Sequence, residues 1–143
     1  MKALNDFKTW VSNTGSSGVN AVFLDYETIL NSDINKSYPF VFWLVNTIKG
    51  TENNAQNTRK FSIKVAIIQK WIAEEQLPGN PKINAFDSIH QTFKDYLTYL
   101  DTVFSNFAIT NRGNIPYEYY DRGMTSVDEE IAIIFSIELQ AFC

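Results

Sequence analysis

Residues 38–71 read YPFVFWLVNTIKGTENNAQNTRKFSIKVAIIQKW, and the two apolar runs in this stretch decide the fold class. The run from Tyr38 to Ile48 is dense in aromatic and β-branched side chains, which pack well on a pleated surface. Pro39 supplies no backbone donor and is tolerated only at a strand start or edge, so a buried strand is expected to open beside it. From Phe61 to Trp71 the residues Phe61, Ile63, Val65 and Ile67 alternate with Ser62, Lys64, Ala66 and Ile68, which is the period of a strand. Between the two runs, Gly50 to Lys60 is almost wholly polar. A hairpin needs only about two to five loop residues, so this stretch is expected to be an arm that reaches a partner.

Upstream, Leu4, Phe7, Trp10 and Val11 recur at helical spacing within residues 2–13, and the stretch from Gly15 to Gly18 ends that pattern. Val19 to Leu30 reads as an early strand with Val22, Leu24 and Tyr26 on one face. Downstream, Pro78, Gly79 and Pro81 keep the next helix from beginning before about Asn84, a natural N-cap with Asp87 in the first turn. Phe86, Ile89, His90, Phe93, Tyr96, Leu97, Leu100, Val103, Phe104 and Phe107 then follow helical spacing. At 1.5 Å per residue such a helix is a rod of about 30 Å, long enough to cover a sheet face. Asn111 to Asn114 read as a turn, and Ile115 to Asp121 as a strand. A last strand spans Val127 to Gln140: Val127, Glu129, Ile131, Ile133, Phe135, Ile137 and Leu139 share one mainly apolar face. Asp128, Glu130, Ala132, Ile134, Ser136, Glu138 and Gln140 share a mostly solvated one.

The expected fold is therefore α+β: an antiparallel sheet with a long-armed hairpin, packed on one face by an N-terminal helix and one long amphipathic helix. With 143 residues, 45% of them hydrophobic, the chain is expected to form a single domain over 1–143, with its arm at approximately 49–60. The net charge of −4 lacks the basic footprint of a protein that grips many phosphates. No run approaches the roughly 20 apolar residues needed to span a bilayer, so no membrane role is expected.

Chemistry is sparsely signalled. Cys143 is the sole cysteine, which excludes an intrachain disulfide and a cysteine-built zinc site. His90 is the sole histidine, so every histidine-dependent catalytic arrangement rests on it, and its place beside the apolar stripe reads as packing. Glu118, Asp121, Asp128, Glu129 and Glu130 form an acidic cluster of the kind that can hold a divalent cation or serve as paired carboxylates. Strand ends and turns are ordinarily charged for solubility, and no calcium-loop spacing accompanies the cluster. Neither GxxxxGK[ST] nor GxGxxG occurs, so nucleotide binding has no support. No catalytic residue, metal or cofactor is expected. Lys49, Arg59, Lys60, Lys64 and Lys70 concentrate positive charge around the hairpin, away from the acidic cluster, and such opposite patches suit a head-to-tail contact.

The order of elements resembles the tail-terminator and head-tail joining ring proteins of tailed bacteriophages, and is similar to the neck-ring proteins of crAss-like phages. The resemblance covers nearly the whole chain. It is carried by the N-terminal helix, the strand from Tyr38 to Trp43, the polar arm from Gly50 to Lys60, the strand from Phe61 to Trp71 and the long helix. The segment Tyr119-Tyr120-Asp121-Arg122-Gly123-Met124, leading into a hydrophobic closing strand, looks like the family's final hairpin. The resemblance implies a virion protein, assembled in the host cytoplasm, that forms a homo-oligomeric ring, commonly of six or twelve copies, between portal and tail. It implies contacts with adjacent portal, neck and tail proteins, DNA passing only passively through an acidic lumen, and no catalytic residues. Lys49, Glu52, Asn54, Gln56, Arg59 and Lys60 of the arm and Glu118, Asp121, Arg122, Asp128 and Glu130 near the last strands are the candidate partner-binding residues. The stretch from Ile72 to Ile83 is an extra loop relative to that pattern. The alternative is a cytoplasmic small-molecule or peptide-binding module with a pocket under the long helix.

Overall fold

A computed structural model of the chain describes residues 2–12, 18–24, 38–53, 58–70, 82–102, 107–120 and 130–142. Among these lie two helices, α1 (Lys2–Val11) and α2 (Lys82–Thr102). Six strands accompany them: β1 (Ala21–Phe23), β2 (Phe40–Asn53), β3 (Thr58–Lys70), β4 (Phe107–Ile109), β5 (Tyr117–Tyr120) and β6 (Glu130–Phe142). The fold is α+β, as the sequence predicts. The strands form one sheet in the order β1-β2-β3-β6-β4, with β5 also on β6.

β3 lies at the centre because its alternation is apolar on both faces for half its length. It pairs antiparallel with β2 on one side and with β6 on the other, the latter in unbroken register from Thr58↔Phe142 to Lys70↔Glu130. β1 pairs parallel to β2, so the sheet is mixed at this edge rather than wholly antiparallel. β2 opens directly after Pro39, where a missing donor costs no ladder bond. Asn20 secures that corner, its backbone N–H donating to the Pro39 carbonyl at 3.0 Å and its Nδ2 to the Tyr38 carbonyl at 2.6 Å.

Both helices pack on one sheet face. Phe7, Trp10 and Val11 of α1 and Ile89, Phe93, Tyr96, Leu97 and Leu100 of α2 bury against Val41, Trp43, Ile63, Val65, Ile67 and the odd-numbered residues of β6 from Ile131 to Leu139. Each such large side chain contributes about 1.5–3 kcal/mol on full burial. Three polar links fix the layers: Trp10 Nε1 donates to the Leu100 carbonyl at 3.2 Å, Trp43 Nε1 donates to the Tyr96 hydroxyl at 3.0 Å, and that hydroxyl donates to the Val11 carbonyl at 2.6 Å.

The opposite face departs from the expectation of a mostly solvated surface. Phe40, Phe42, Leu44, Ala66, Ile68, Ala132 and Ile134 form a second buried cluster there. The alternation of β6 alone hides this, because Ala132 and Ile134 line up with apolar residues of β3 and β2 that are distant in sequence. The hairpin end of this face is polar, and Lys70, paired with Glu130 in register, bounds the cluster at the other end.

The segment expected to be a polar arm is mostly strand. Gly50↔Phe61, Thr51↔Lys60, Glu52↔Arg59 and Asn53↔Thr58 are paired, so the hairpin is long, and only residues 54–57 link its strands. Backbone ladder bonds need no apolar side chains, so polarity by itself does not mark a loop. The register shifts between Leu44 and Lys49, where the Thr47 hydroxyl accepts from the Lys64 N–H at 3.1 Å and donates to the Leu44 carbonyl at 2.6 Å. Gly50 is required by close approach: a Cβ there would lie 2.6 Å from the Lys60 carbonyl oxygen.

Other boundaries also move. α2 begins at Lys82, two residues before Asn84, and ends at Thr102. Phe107 belongs to β4, opposite Ala141, where it stacks on Trp10 at 5.4 Å and lies edge-on to Phe7 at 5.8 Å. Its fit to helical spacing is coincidental, because an aromatic residue that docks on α1 from a short strand carries the same apolar signal. The early strand is limited to Ala21–Phe23, and Tyr26, Val127, Asp128, Glu129 and most of the Ile72–Ile83 loop lie outside the described residues.

Candidate functional site

β4 and β5 follow one another along the same edge of β6. Ile109 lies opposite Leu139 and Tyr117 opposite Phe135, so the outer chain makes an excursion between them. Asn111 bridges the interruption. Its Nδ2 donates to the Ser136 carbonyl at 3.0 Å, and its Oδ1 accepts from the Glu138 N–H at 2.9 Å. The side-chain amide thus replaces a backbone peptide in the ladder, and the excursion carries Arg112 and Ile115 toward α2.

The resulting groove has a volume of about 390 Å³. Phe93, Leu97 and Phe135 are its buried apolar residues, the two phenylalanine rings stacked at 3.7 Å and 4°. His90, Lys94 and Thr98, one helical turn apart on α2, line one wall, and Arg112, Ile115 and Tyr117 line the other. Arg112 is held by Asp101 at 2.7 Å. Among the described residues no carboxylate lines the groove, and Lys94 and Arg112 give that lining positive charge.

His90 is packed among aromatic rings, edge-on to Tyr117 at 4.7 Å and to Phe135 at 5.6 Å, and its Nε2 lies 3.1 Å from the Tyr119 hydroxyl. Desolvation by these neighbours lowers its pKa below 6.5; Asp87 opposes the shift and Lys94 adds to it. Histidine is therefore mainly neutral here at pH 7. Tyr117, Tyr119 and Tyr120 stay 49%, 51% and 41% exposed. Runs of aromatic residues in β5 were visible in the sequence, but their meeting with His90 was not, because 29 positions separate His90 from Tyr119.

The candidate partner-binding residues do not converge on this groove. Lys49, Lys60 and Lys64 are exposed, and by strand alternation they share the sheet face opposite the helices, near the hairpin end, with exposed Glu138 among them. Arg59 falls on the helix-bearing face, opposite Glu52 in register. Lys70 lies at the other end of β3, paired with Glu130, so it does not belong to the hairpin's positive charge. Glu118 is exposed in β5 opposite Ile134. Asn54, Gln56, Asp121, Arg122 and Asp128 lie outside the described residues. Among the described residues, no group of three or more His, Cys, Asp or Glu is placed to hold a metal ion, and no helix is long and apolar enough to cross a membrane.

No protein-family model matches the chain, and no curated protein matches it.

Proposed function

We propose that this chain is a structural virion protein of a tailed phage, one subunit of a homo-oligomeric ring of about six or twelve copies in the neck or tail. The ring connects capsid and portal to the tail and guides or retains DNA. The observation that carries this reading is the long hairpin: β2 and β3 continue as a paired ribbon to Asn53 and Thr58, with Lys49, Lys60 and Lys64 exposed on one face. Glu118 and Glu130 sit toward the other end of β6, so a head-to-tail contact between subunits joins opposite charges. The net charge of −4 suits a lumen past which DNA slides without being gripped. In this role the chain needs no catalytic residue and no cofactor, and its partners are its own copies and the adjacent portal, neck and tail proteins.

The test is the triple charge reversal Lys49→Glu, Lys60→Glu and Lys64→Glu. These side chains are exposed, so the variant is expected to keep the circular dichroism of the parent while losing ring formation. Rings of unchanged abundance remove the hairpin from the interface.

A second reading, a small-molecule or peptide-binding module, is favoured by the groove between α2 and the β5 edge, whose volume is within the range of ligand sites.

A further inference from the structure

Among the described residues, the outer edge of β5 is open. Its inner edge is satisfied by β6: the Ser136 N–H donates to the Pro116 carbonyl at 2.9 Å, which makes Tyr117↔Phe135 a non-hydrogen-bonded pair. By alternation Tyr119↔Ile133 is another, so the backbone N–H and C=O of Tyr117 and Tyr119 point away from β6. Among the described residues these outward groups have no hydrogen-bond partner, and all four residues of the strand are exposed. Edge strands are commonly blunted by lysine, proline or a bulge. Here Tyr-Glu-Tyr-Tyr contains neither lysine nor proline and presents three exposed aromatic rings.

Tyr117 belongs to both the open edge and the groove: its backbone faces outward while its ring lines the wall opposite His90. A strand added beside β5 would turn alternate side chains to the helix-bearing side, where Tyr117 and Tyr119 lie. That side offers an apolar floor from Phe93 and Phe135 and two cations, Lys94 and Arg112. Arg112 is already held by Asp101, whereas Lys94 is exposed and, among the described residues, forms no ion pair.

We infer that β5 and the adjoining groove accept an extended acidic peptide segment by strand addition, with its backbone paired to Tyr117 and Tyr119 and a carboxylate set against Lys94 and Arg112. The inference deepens the peptide-binding reading by naming the segment, and it holds whether or not the chain forms rings. A groove lined along one helix and beside a strand whose outer edge is open fits a chain passing over it, and its charge selects acidic side chains.

The test uses the full chain and three fluorescein-labelled hexapeptides: alternating valine and glutamate, alternating valine and lysine, and the glutamate peptide N-methylated at alternate amides. Fluorescence anisotropy should show saturable binding of the glutamate peptide, at least about tenfold weaker binding of the lysine peptide, and no binding of the N-methylated form. Lys94→Glu, an exposed change, should cut the preference for glutamate over lysine by about tenfold. Absent binding of the glutamate peptide, equal binding of the two charged peptides, or an unchanged preference in Lys94→Glu overturns the inference. Full displacement by equimolar phenylpropionate assigns the groove to small anions instead, and self-association that shuts out the peptide assigns the edge to a second copy. Because the readout is peptide binding by the subunit, its failure is separate from failure to assemble.

Discussion

The Tyr96 hydroxyl lies 2.6 Å from the carbonyl oxygen of Val11, 85 residues earlier in the chain, and donates a buried hydrogen bond to it. The Tyr96 hydroxyl oxygen in turn accepts from Trp43 Nε1 at 3.0 Å. One atom therefore joins α2 to the end of α1 and to the sheet. Burial pushes the phenol pKa far above its usual value, and the hydrogen bond from Trp43 opposes the shift, so the hydroxyl remains protonated and able to donate.

Tyr96→Phe removes this link and leaves the Trp43 N–H and the Val11 carbonyl without a partner. The expected loss of stability is about 1–3 kcal/mol in urea denaturation. Trp43→Phe in the Tyr96→Phe background should cost less than in the parent, because the donor is already unsatisfied. Equal costs in the two backgrounds mean that the link is not coupled.

Gly50→Ala places a Cβ 2.6 Å from the Lys60 carbonyl oxygen and 2.9 Å from the Phe61 Cβ. Backbone must move to relieve this contact, at a cost of about 1–3 kcal/mol. Hydrogen exchange should quicken first at Thr51 and Lys60, which pair across the hairpin. Unchanged protection there indicates that the strands have room at this position.

Asn111→Asp keeps an acceptor for the Glu138 N–H but loses the donor to the Ser136 carbonyl. A carboxylate then faces a carbonyl oxygen. About 1–3 kcal/mol of stability should be lost. Exchange should rise at Ser136 and Glu138, and Asn111→Gln should not restore it because the longer chain misplaces the amide.

The depressed pKa of His90 links stability to pH. The unfolded chain takes up the proton first as pH falls through about 6.5, so stability drops from there until the lower folded-state pKa is passed. Below that point this contribution is constant. His90→Gln should flatten the dependence of the urea midpoint between about pH 6.5 and the onset of carboxylate titration. A parent protein whose midpoint is flat across this window contradicts the packed, mainly neutral histidine.

The two halves of the hairpin, the helices and the long closing strand were legible because each carries its period within a few residues: Phe61, Ile63, Val65 and Ile67 alternate, while Phe86, Ile89, Phe93, Leu97 and Leu100 keep helical spacing. What escaped depends on neighbours remote in sequence. Phe107 is apolar at a helical position yet serves β4, since Trp10 and Ala141 decide its place. Ala132 and Ile134 read as solvent-side residues until β3 and β2 are laid beside them. The groove was equally hidden: Lys94, Arg112 and Tyr117 meet only because Asn111 stands in for a stretch of backbone. The acidic cluster shows the converse, for Glu118 and Glu130 read as one group by closeness in sequence, while their ladder partners are Ile134 and Lys70.

The ring account is tested most directly by the mass of the purified protein, alone and mixed with its neighbouring portal and tail proteins, using light scattering and negative-stain imaging. The account predicts closed rings of about six or twelve copies in at least one of the two samples. A monomer that persists in both, and binds no neighbour, contradicts it.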